Sequence, residues 1–346
     1  MPDAVIGGRR KSPRRKERPR GYAPGKINPP PLFVWPWRPA AFLKWFFGFP
    51  GYLWPWNLVY LAIALVTWCW LTPRLAEMRT VEAWWVGQIF LCNVGLIGAV
   101  VGAWHLWLYT KRAQGTEYKY SGLWLVEDSD NFLFRNQLLD NLLWTFASAV
   151  PIWTAYEAVT LWAQANGYLP TIDFGTHPVG FVLLLLMIPV FREAHFYLIH
   201  RLIHWPPLYR AVHRIHHNNV NPGPWSGLAM HPLEHVLYFS GVLLHWIVPS
   251  NPVHVIFHLQ HLAFSPAQGH NGFGKVKLRN GTLLNTDHYI HYLHHKYFEV
   301  NYGDGLVPFD RMFGTFHDGT DEATEAMNRR FLKIRSARGR QGHEAG

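Results

Sequence analysis

VGFVLLLLMIPVFREAHFYLIHRLIH, residues 179–204, joins a long apolar run to a polar stretch that ends in paired histidines. The first half carries the uncharged apolar side chains that a lipid-crossing helix needs, and charge first appears at Arg192. The second half places His200 and His204 four residues apart, which puts both on one face of a helix. The stretch therefore predicts a membrane helix that leads into a histidine-lined site.

Three earlier stretches are also apolar over the roughly 20 residues that a bilayer crossing needs. They run from Leu53 to Leu71, from about Trp84 to Tyr109, and from Leu142 to about Trp162. Glu157 lies inside the last of these stretches. A carboxylate there predicts a side chain that faces the bundle interior or a polar cavity, or a last helical turn near the interface.

A further apolar stretch, residues 236–264, is interrupted by the sequence PSNP at 249–252. Each half is short for a crossing, so we predict a short hairpin that dips into the membrane from one side. No segment is rich in the alternating pattern of strands. The predicted fold class is therefore an all-α integral membrane protein with about four transmembrane helices, a short membrane hairpin and a cytosolic, helical, histidine-rich metal cap.

The composition agrees with a membrane protein. Hydrophobic residues make up 49% of the chain and charged residues 16%, against about a quarter charged in soluble domains. The 18 tryptophans suit the aromatic belts at the two membrane interfaces. The two cysteines, Cys69 and Cys92, lie in apolar stretches and form no CxxC pair, which argues against a thiolate zinc site or a cysteine-ligated iron–sulfur cluster.

The net charge of +10 is concentrated at the N-terminus, where residues 1–26 contain nine lysines and arginines. No nucleic-acid-binding motif accompanies them, so we expect a disordered tail that fixes the orientation in the membrane and no nucleic-acid partner. The positive-inside rule then places the N-terminus in the cytosol. Four crossings return the chain to that side, where it carries Arg192, Arg201, Arg210 and Arg214.

This order of elements predicts four regions. Residues 1–50 form a basic disordered tail and an interfacial approach, and 51–190 form the transmembrane helices. Residues 191–318 form a histidine-rich region, which the clusters and the resemblance described below predict to be a histidine-box catalytic domain, and 319–346 form a polar C-terminal segment.

The histidines are clustered. Seventeen of the 21 lie between His195 and His295. Short spacings recur in HRLIH at 200–204, HRIHH at 213–217 and HYLHH at 291–295, and each can direct two or three imidazoles toward one point of a helix face. Burying so many titratable rings near a membrane is costly unless a metal holds them, and neutral imidazole suits zinc, copper and iron. Eight to ten such ligands exceed the capacity of one ion, so two metals are predicted.

Three other interpretations of these histidines are possible. The string HPLEH at 231–235 matches an inverted zinc-protease signature, but it leaves the three other clusters unexplained. A membrane metal transporter would bind passing ions, although its ligands are expected near the membrane midplane. A non-catalytic membrane protein with a structural metal needs only about four ligands for each zinc.

Residues 188–315 resemble the fatty acid hydroxylase superfamily, which includes sterol desaturases and sterol methyl oxidases. The stretches that carry the resemblance are EAHFYLIHRLIH (193–204), LYRAVHRIHH (208–217), HPLE (231–234), GHNG (269–272), HYLHH (291–295), YG (302–303) and FDRMFGT (309–315). Two positions depart from the family pattern. Glu193 replaces the usual Asp, and Ile290 replaces a histidine of the last box, so His288 is not included among the ligands.

The resemblance implies a set of metal ligands in this sequence. They are His200, His204, His213, His216, His217, His231, His270, His291, His294 and His295. Glu193, Glu234, Asp287 and Asp310 are implied as carboxylates that orient the imidazoles or, alternatively, cap helices and pair with arginines. Six further histidines are expected to be structural or to support the ligands: His195, His235, His245, His254, His258 and His261.

The resemblance also implies the reaction. Two iron ions would use O2 to hydroxylate or desaturate a lipid, either a sterol-like or an acyl lipid, and the HPLE element favours a sterol. Each turnover needs two electrons. The sequence shows no HPGG haem segment and no GxGxxG, so an external ferredoxin or cytochrome b5-like donor is implied.

Overall fold

A computed structural model describes residues 21–286 and 288–344. Most of the basic tail, residues 1–20, lies outside this part of the chain, and so does Asp287. The structure is mostly helical, as predicted, with one small antiparallel strand pair among the described residues. The helices are Pro39–Phe47, Leu53–Leu71, Ala83–Thr110, 137–165, Pro178–Ile203, 206–217, Pro232–Phe239, Pro252–Gly269, Tyr289–Tyr297, Phe309–Met312 and Asp321–Glu344, and the strands are Lys275–Lys277 and Leu283–Asn285.

Three of the described helices are long and apolar enough to cross a membrane: Leu53–Leu71, Ala83–Thr110 and Pro178–Ile203. They correspond to the first, second and fourth predicted crossings. The helix Pro178–Ile203 continues without a break past Arg192 to the first histidine box. The predicted boundary at residue 190 therefore falls inside a helix, which rigidly links the apolar segment to His200.

The helix 137–165 lies where the third crossing was predicted, but it is not among the three apolar helices because polar residues interrupt it. It still runs the length of the bundle. Gln137 bonds to Asn219 beside the histidines, and Asn166, just beyond its other end, bonds to the carbonyl of Arg79. Glu157 is buried and accepts a hydrogen bond from Asn93 at 3.1 Å, as expected of a carboxylate that faces the bundle interior.

The stretch predicted to form a membrane hairpin does turn at residues 249–252, but the other helices enclose it, and it is not among the described helices that could cross a membrane. Its second arm, Pro252–Gly269, is buried along its whole length among the other helices. The turn before it bonds through the Ser250 amide to the carbonyl of Pro170, and the other end of the arm leads into His270. The arm thus runs from the loop 164–177 to the histidines. Its apolar residues are core residues of the bundle, which explains why their pattern resembles a membrane segment.

The segment 21–30, which we call the N-terminal strap, joins the end of the predicted tail to the start of the predicted interfacial approach, and backbone hydrogen bonds attach it to the rest of the chain. The Tyr22 amide donates to the carbonyl of Lys119, and the Ile27 amide donates to the carbonyl of Asp318. After the strap, the short helix Pro39–Phe47 and its flanks expose large aromatic side chains, including Trp35 at 90% and Phe47 at 62%. This exposure is typical of the interfacial approach that the sequence predicts.

Candidate metal centre

Nine of the ten predicted ligands converge in two adjacent groups at one end of the bundle. The first group contains five histidines and the second contains four, and within each group the ligand nitrogens lie within 4.8 Å of one another. The first group is His200, His204, His213, His217 and His294, and the second is His216, His270, His291 and His295. All nine are buried except His204, which is partly exposed.

Four structural elements supply these rings. The end of the helix Pro178–Ile203 supplies the first box, and the helical segment 206–217 supplies the second. Within 213–217 and 291–295 the two histidines four residues apart share a group, whereas the third histidine, His216 or His294, joins the other group. His270 caps the buried arm of the hairpin and completes the second group.

Three of the ligand histidines use Nδ1 to donate a hydrogen bond, which leaves their Nε2 atoms unprotonated. Nδ1 of His200 donates to the carbonyl of Tyr302 at 2.6 Å, that of His294 to Val300 at 2.7 Å, and that of His270 to Pro266 at 2.8 Å. A carbonyl only accepts, so each Nδ1 carries the proton of a neutral ring and each Nε2 presents a lone pair.

These lone pairs point at one another. The Nε2 atom of His200 lies 3.1 Å from that of His213, and the Nε2 atom of His270 lies 3.0 Å from those of both His291 and His295. Ligands held at about 2.0–2.1 Å from one ion, as imidazole nitrogens are on zinc, would be about 3.0–3.4 Å apart. The spacing and the chemistry of both groups therefore fit a metal ion in each.

The protonation state of the cluster also suits metal binding. Burial, reinforced by the neighbouring imidazoles, lowers the pKa of His213, His217 and His294 well below 6.5. Burial lowers the pKa of His270 to about 4. The rings are therefore neutral near pH 7, which is the form that binds metals.

Three of the four predicted carboxylates lie in the described residues and support the ligands. Glu234 accepts from Nδ1 of His213 at 2.7 Å. Glu193 accepts from the amides of Asp304 and Gly305, and Asp310 accepts from the amides of Tyr302 and Gly303. Glu193 and Asp310 thus fix the loop 300–305, whose carbonyls orient two ligands. Such supporting contacts set the direction of the ligating nitrogens.

Asp304 belongs to the site although the sequence reasoning did not identify it. Its carboxylate pairs with Arg192 at 2.6 Å and lies 3.4 Å from Nδ1 of His291. The pKa of Asp304 is lowered despite its burial, chiefly because of the Arg192 guanidinium. Its position directly after the Tyr302-Gly303 element was the one available signal.

The tenth predicted ligand, His231, lies apart from the other nine. This side chain joins neither group, and its Nδ1 accepts from the amide of Leu233, so that it caps the helix Pro232–Phe239. The proline after it places the ring at a helix start, where a cap is useful. His288 also lies outside both groups.

The six remaining histidines make hydrogen bonds elsewhere in the bundle. His245 bonds to Ser250 and to His258, and His254 bonds to the carbonyl of Phe181. His195, His235 and His261 bond to Ser240, Ser148 and Asn57, respectively. None of the six belongs to either metal-binding group among the described residues.

A small cavity adjoins both groups on the side of the buried hairpin. Its walls combine apolar side chains, among them Phe196, Met230 and Tyr238, with the Arg192–Asp304 pair and Glu234. His200, His213, His216, His270 and His291 line it as well. A reactant in this cavity would contact both metal-binding groups.

Comparison with known proteins agrees with this site. The fatty acid hydroxylase family model matches residues 184–315. A Δ7-sterol 5(6)-desaturase of Aspergillus fumigatus is 29% identical over 199 residues, which cover 54% of this chain and 53% of that protein. A Δ7-sterol 5(6)-desaturase of Candida albicans is 25% identical over 183 residues, which cover 50% of this chain and 45% of that protein.

The chain spans about half the length of the curated relatives that it matches. No solved structure matches it significantly. The matched region contains all nine convergent histidines and the loop 300–305 that orients two of them. Residues 184–315 are therefore assigned to the fatty acid hydroxylase family.

Proposed function

We propose that this protein is an O2-dependent membrane oxidoreductase that uses two iron ions to hydroxylate or desaturate a lipid. The observation that carries the proposal is the convergence of nine histidines in two adjacent groups. A structural zinc needs about four ligands and no reactant space, whereas here a cavity adjoins both groups.

Bound irons would supply the reductive activation of O2 and the oxidation of an unactivated C–H bond. The protein's own residues keep the histidine rings neutral and orient their Nε2 atoms toward the metal sites. The carbonyls of Val300, Tyr302 and Pro266 accept hydrogen bonds from Nδ1 of three ligands, and Glu234 accepts one from Nδ1 of His213. Phe196 and Tyr238 exclude bulk water from the reactant side.

A sterol-like lipid is the substrate class that the relatives favour, because their names describe oxidation of a Δ7-sterol. An acyl lipid is the alternative within the same chemistry. Either hydroxylation or desaturation consumes two electrons for each O2, and we propose that a ferredoxin or cytochrome b5-like protein delivers them.

We further propose that the histidine groups face the cytosol. The ends of the helices that meet at the metal centre continue into segments rich in cations, such as Lys111, Arg112 and Arg210. By contrast, the loop 164–177 at the other end of the bundle has no lysine or arginine. The positive-inside rule favours the first end as cytosolic. In a chain that carries Cys69→Ala and Cys92→Ala, the single variants Arg210→Cys and Phe174→Cys, at two exposed positions, should react with an impermeant thiol reagent from opposite sides.

The function can be tested with purified protein in lipid nanodiscs. We expect two irons per chain, and O2 uptake with a reduced donor that depends on an added sterol or fatty acyl lipid. His294→Ala in the first group and His216→Ala in the second should each abolish product formation. His177→Ala is the control, because His177 is exposed on the far loop.

The rival functions predict other results. Metal flux across the vesicle without O2 uptake would indicate a transporter, and firmly bound zinc without O2 uptake would indicate a structural site. Full lipid oxidation by both ligand variants would contradict the proposal.

A further inference from the structure

The cavity next to the metal-binding groups is too small for a lipid. Its volume is about 20 Å³, which is room for about one water molecule. A lipid carbon therefore cannot reach the metals without a change in the surrounding walls, and the rest of the lipid needs space elsewhere.

A second cavity, which we call the strap cavity, lies beneath the N-terminal strap. Its volume is about 550 Å³, within the range of about 300–1,000 Å³ that small-molecule sites occupy. Of all its lining residues, only Asp304 also lines the small cavity beside the metals. The strap cavity and the metal centre are therefore separated by the Asp304 segment.

The walls of the strap cavity suit an amphipathic molecule. Tyr22, Trp45 and Tyr289 provide aromatic surfaces, and Ile290 and Leu306 provide aliphatic surfaces toward Asp304. Lys26 and Lys275 provide the cationic part of the lining. An apolar body with one polar end would find partners for both parts.

The strap packs closely against the rest of the protein at positions occupied by glycine. A side chain at Gly21 would collide with the carbonyl of Tyr120, and one at Gly274 would come within 2.6 Å of the Tyr22 ring. Gly319 has a φ of +82° and lies against the carbonyl of Gly25. These close approaches fix the strap as a wall of the cavity rather than a loosely attached tail.

The cavity also borders a short helix that exposes apolar side chains. Trp45, one of its lining residues, belongs to the helix Pro39–Phe47, and this helix exposes Leu43 and Phe47 to the surroundings. Exposed aromatic and aliphatic side chains on a short helix of this kind are typical of a membrane-surface segment. We therefore expect a lipid to reach the cavity from the side of this helix.

From these observations we infer that the strap cavity binds the lipid substrate and that the segment 304–306 separates the bound lipid from the metals. The inference rests on the proposed function and names a site for its substrate. A sterol, with one small polar group and a rigid apolar body, fits this lining and is the class that the relatives' names describe.

The segment 304–306, which must move for the lipid to reach the metals, is held in place by an ion pair and two backbone hydrogen bonds. Arg192 pairs with the Asp304 carboxylate, and Glu193 accepts from the amides of Asp304 and Gly305. Gly305 has a φ of +91°, which only glycine adopts readily. Displacing the Asp304 side chain would join the two cavities.

Photolabelling tests the site without requiring turnover. The wild-type protein in nanodiscs would be irradiated anaerobically with a diazirine-bearing sterol and, separately, with a diazirine-bearing fatty acid. The expected result is sterol labelling of peptides that contain residues 22–30, 285–290 or 304–306, with competition by unlabelled sterol. Competed labelling by the fatty acid alone would overturn the sterol assignment, and absence of competed labelling in these peptides would overturn the site.

A cavity-filling variant gives a second, independent measurement. Leu306→Trp should reduce competed labelling at least five-fold while the metal content per chain stays unchanged. Leu332→Trp is the matched control, since Leu332 is 66% exposed on the C-terminal helix. Equal labelling of both variants would count against the site. Loss of metal or of O2 uptake in the wild type would instead count against the proposed function, so the two failures can be told apart.

Discussion

Nδ1 of His213 lies 2.7 Å from Oε1 of Glu234, and both side chains are almost completely buried. Burial raises the pKa of Glu234 well above its usual range, whereas burial and the neighbouring imidazoles lower the pKa of His213. The pair is therefore best described as a hydrogen bond between neutral groups. It directs Nε2 of His213 toward Nε2 of His200.

Removal of the Glu234 carboxylate should lower metal affinity more than it lowers the stability of the fold. Glu234→Ala is expected to lower the metal affinity of the first group about 10–100-fold, as loss of a ligand-orienting partner does elsewhere. Glu234→Gln keeps an acceptor oxygen and should lose less. Metal content after dialysis against graded chelator measures both. Glu299→Ala, at an exposed carboxylate, is the control, and equal retention by Glu234→Ala and Glu299→Ala would contradict the role of Glu234.

Replacement of His270 and of His231 should affect metal content differently, although each residue caps a helix. His270 follows the helix Pro252–Gly269, and His231 precedes the helix Pro232–Phe239. His270→Ala removes a ligand nitrogen from the four of the second group, so we expect the bound metal to fall from about two ions per chain toward one. His231→Ala removes only a helix cap and should leave the metal content unchanged. Elemental analysis of the two purified variants decides the matter, and loss of metal from His231→Ala would restore His231 as a ligand.

The sequence was sufficient to predict those features that have a short-range pattern. The helical boxes at 200–204, 213–217 and 291–295 identify eight of the nine convergent histidines. The ninth, His270, came from the resemblance of the GHNG stretch. The three apolar helices follow from composition alone.

Features that depend on the packing of distant segments could not be predicted. The arm Pro252–Gly269 has the apolar content of a membrane segment, and only the packed structure shows that it is enclosed by protein. His231 matches the family pattern, but its backbone position turns the ring into a cap. Asp304 joins the site through Arg192, which is 112 residues away in the sequence.

The Arg192–Asp304 pair should be important for stability. Arg192 is 5% exposed, and the removal of Asp304 would leave its guanidinium buried without its closest charge partner. Loss of one member of a buried pair typically costs about 3–5 kcal/mol. We therefore expect Asp304→Ala to lower the free energy of unfolding by about that amount, measured by denaturant titration in detergent.

The matched surface change is Asp128→Ala, which removes an exposed partner of Arg135. Exposed pairs contribute about 0–1 kcal/mol, so this variant should unfold almost like the wild type. Similar unfolding of the two variants would mean that the Arg192 charge is compensated by Glu193, which lies 3.9 Å away.

Lys119 should make stability depend on pH in the alkaline range. Its side chain is 1% exposed, and burial lowers its pKa from 10.5 to about 8. Between these two values the unfolded chain keeps a proton that the folded protein has released. The unfolded state then binds more protons, so the free energy of unfolding contributed by this group rises as pH increases from about 8 to about 10.5.

Lys119→Met keeps a long side chain among Tyr109, Trp124 and Phe273 but cannot titrate. The wild type should gain stability relative to this variant by up to roughly 3 kcal/mol over the window, since each unit of pKa difference corresponds to about 1.4 kcal/mol. Other groups titrate in the same range, so the difference between the two proteins is the quantity to measure, by denaturant titrations at pH 7.5, 9 and 10.5. A constant difference at all three values would show that Lys119 keeps its proton in the folded protein, held by Asn221 and the surrounding rings.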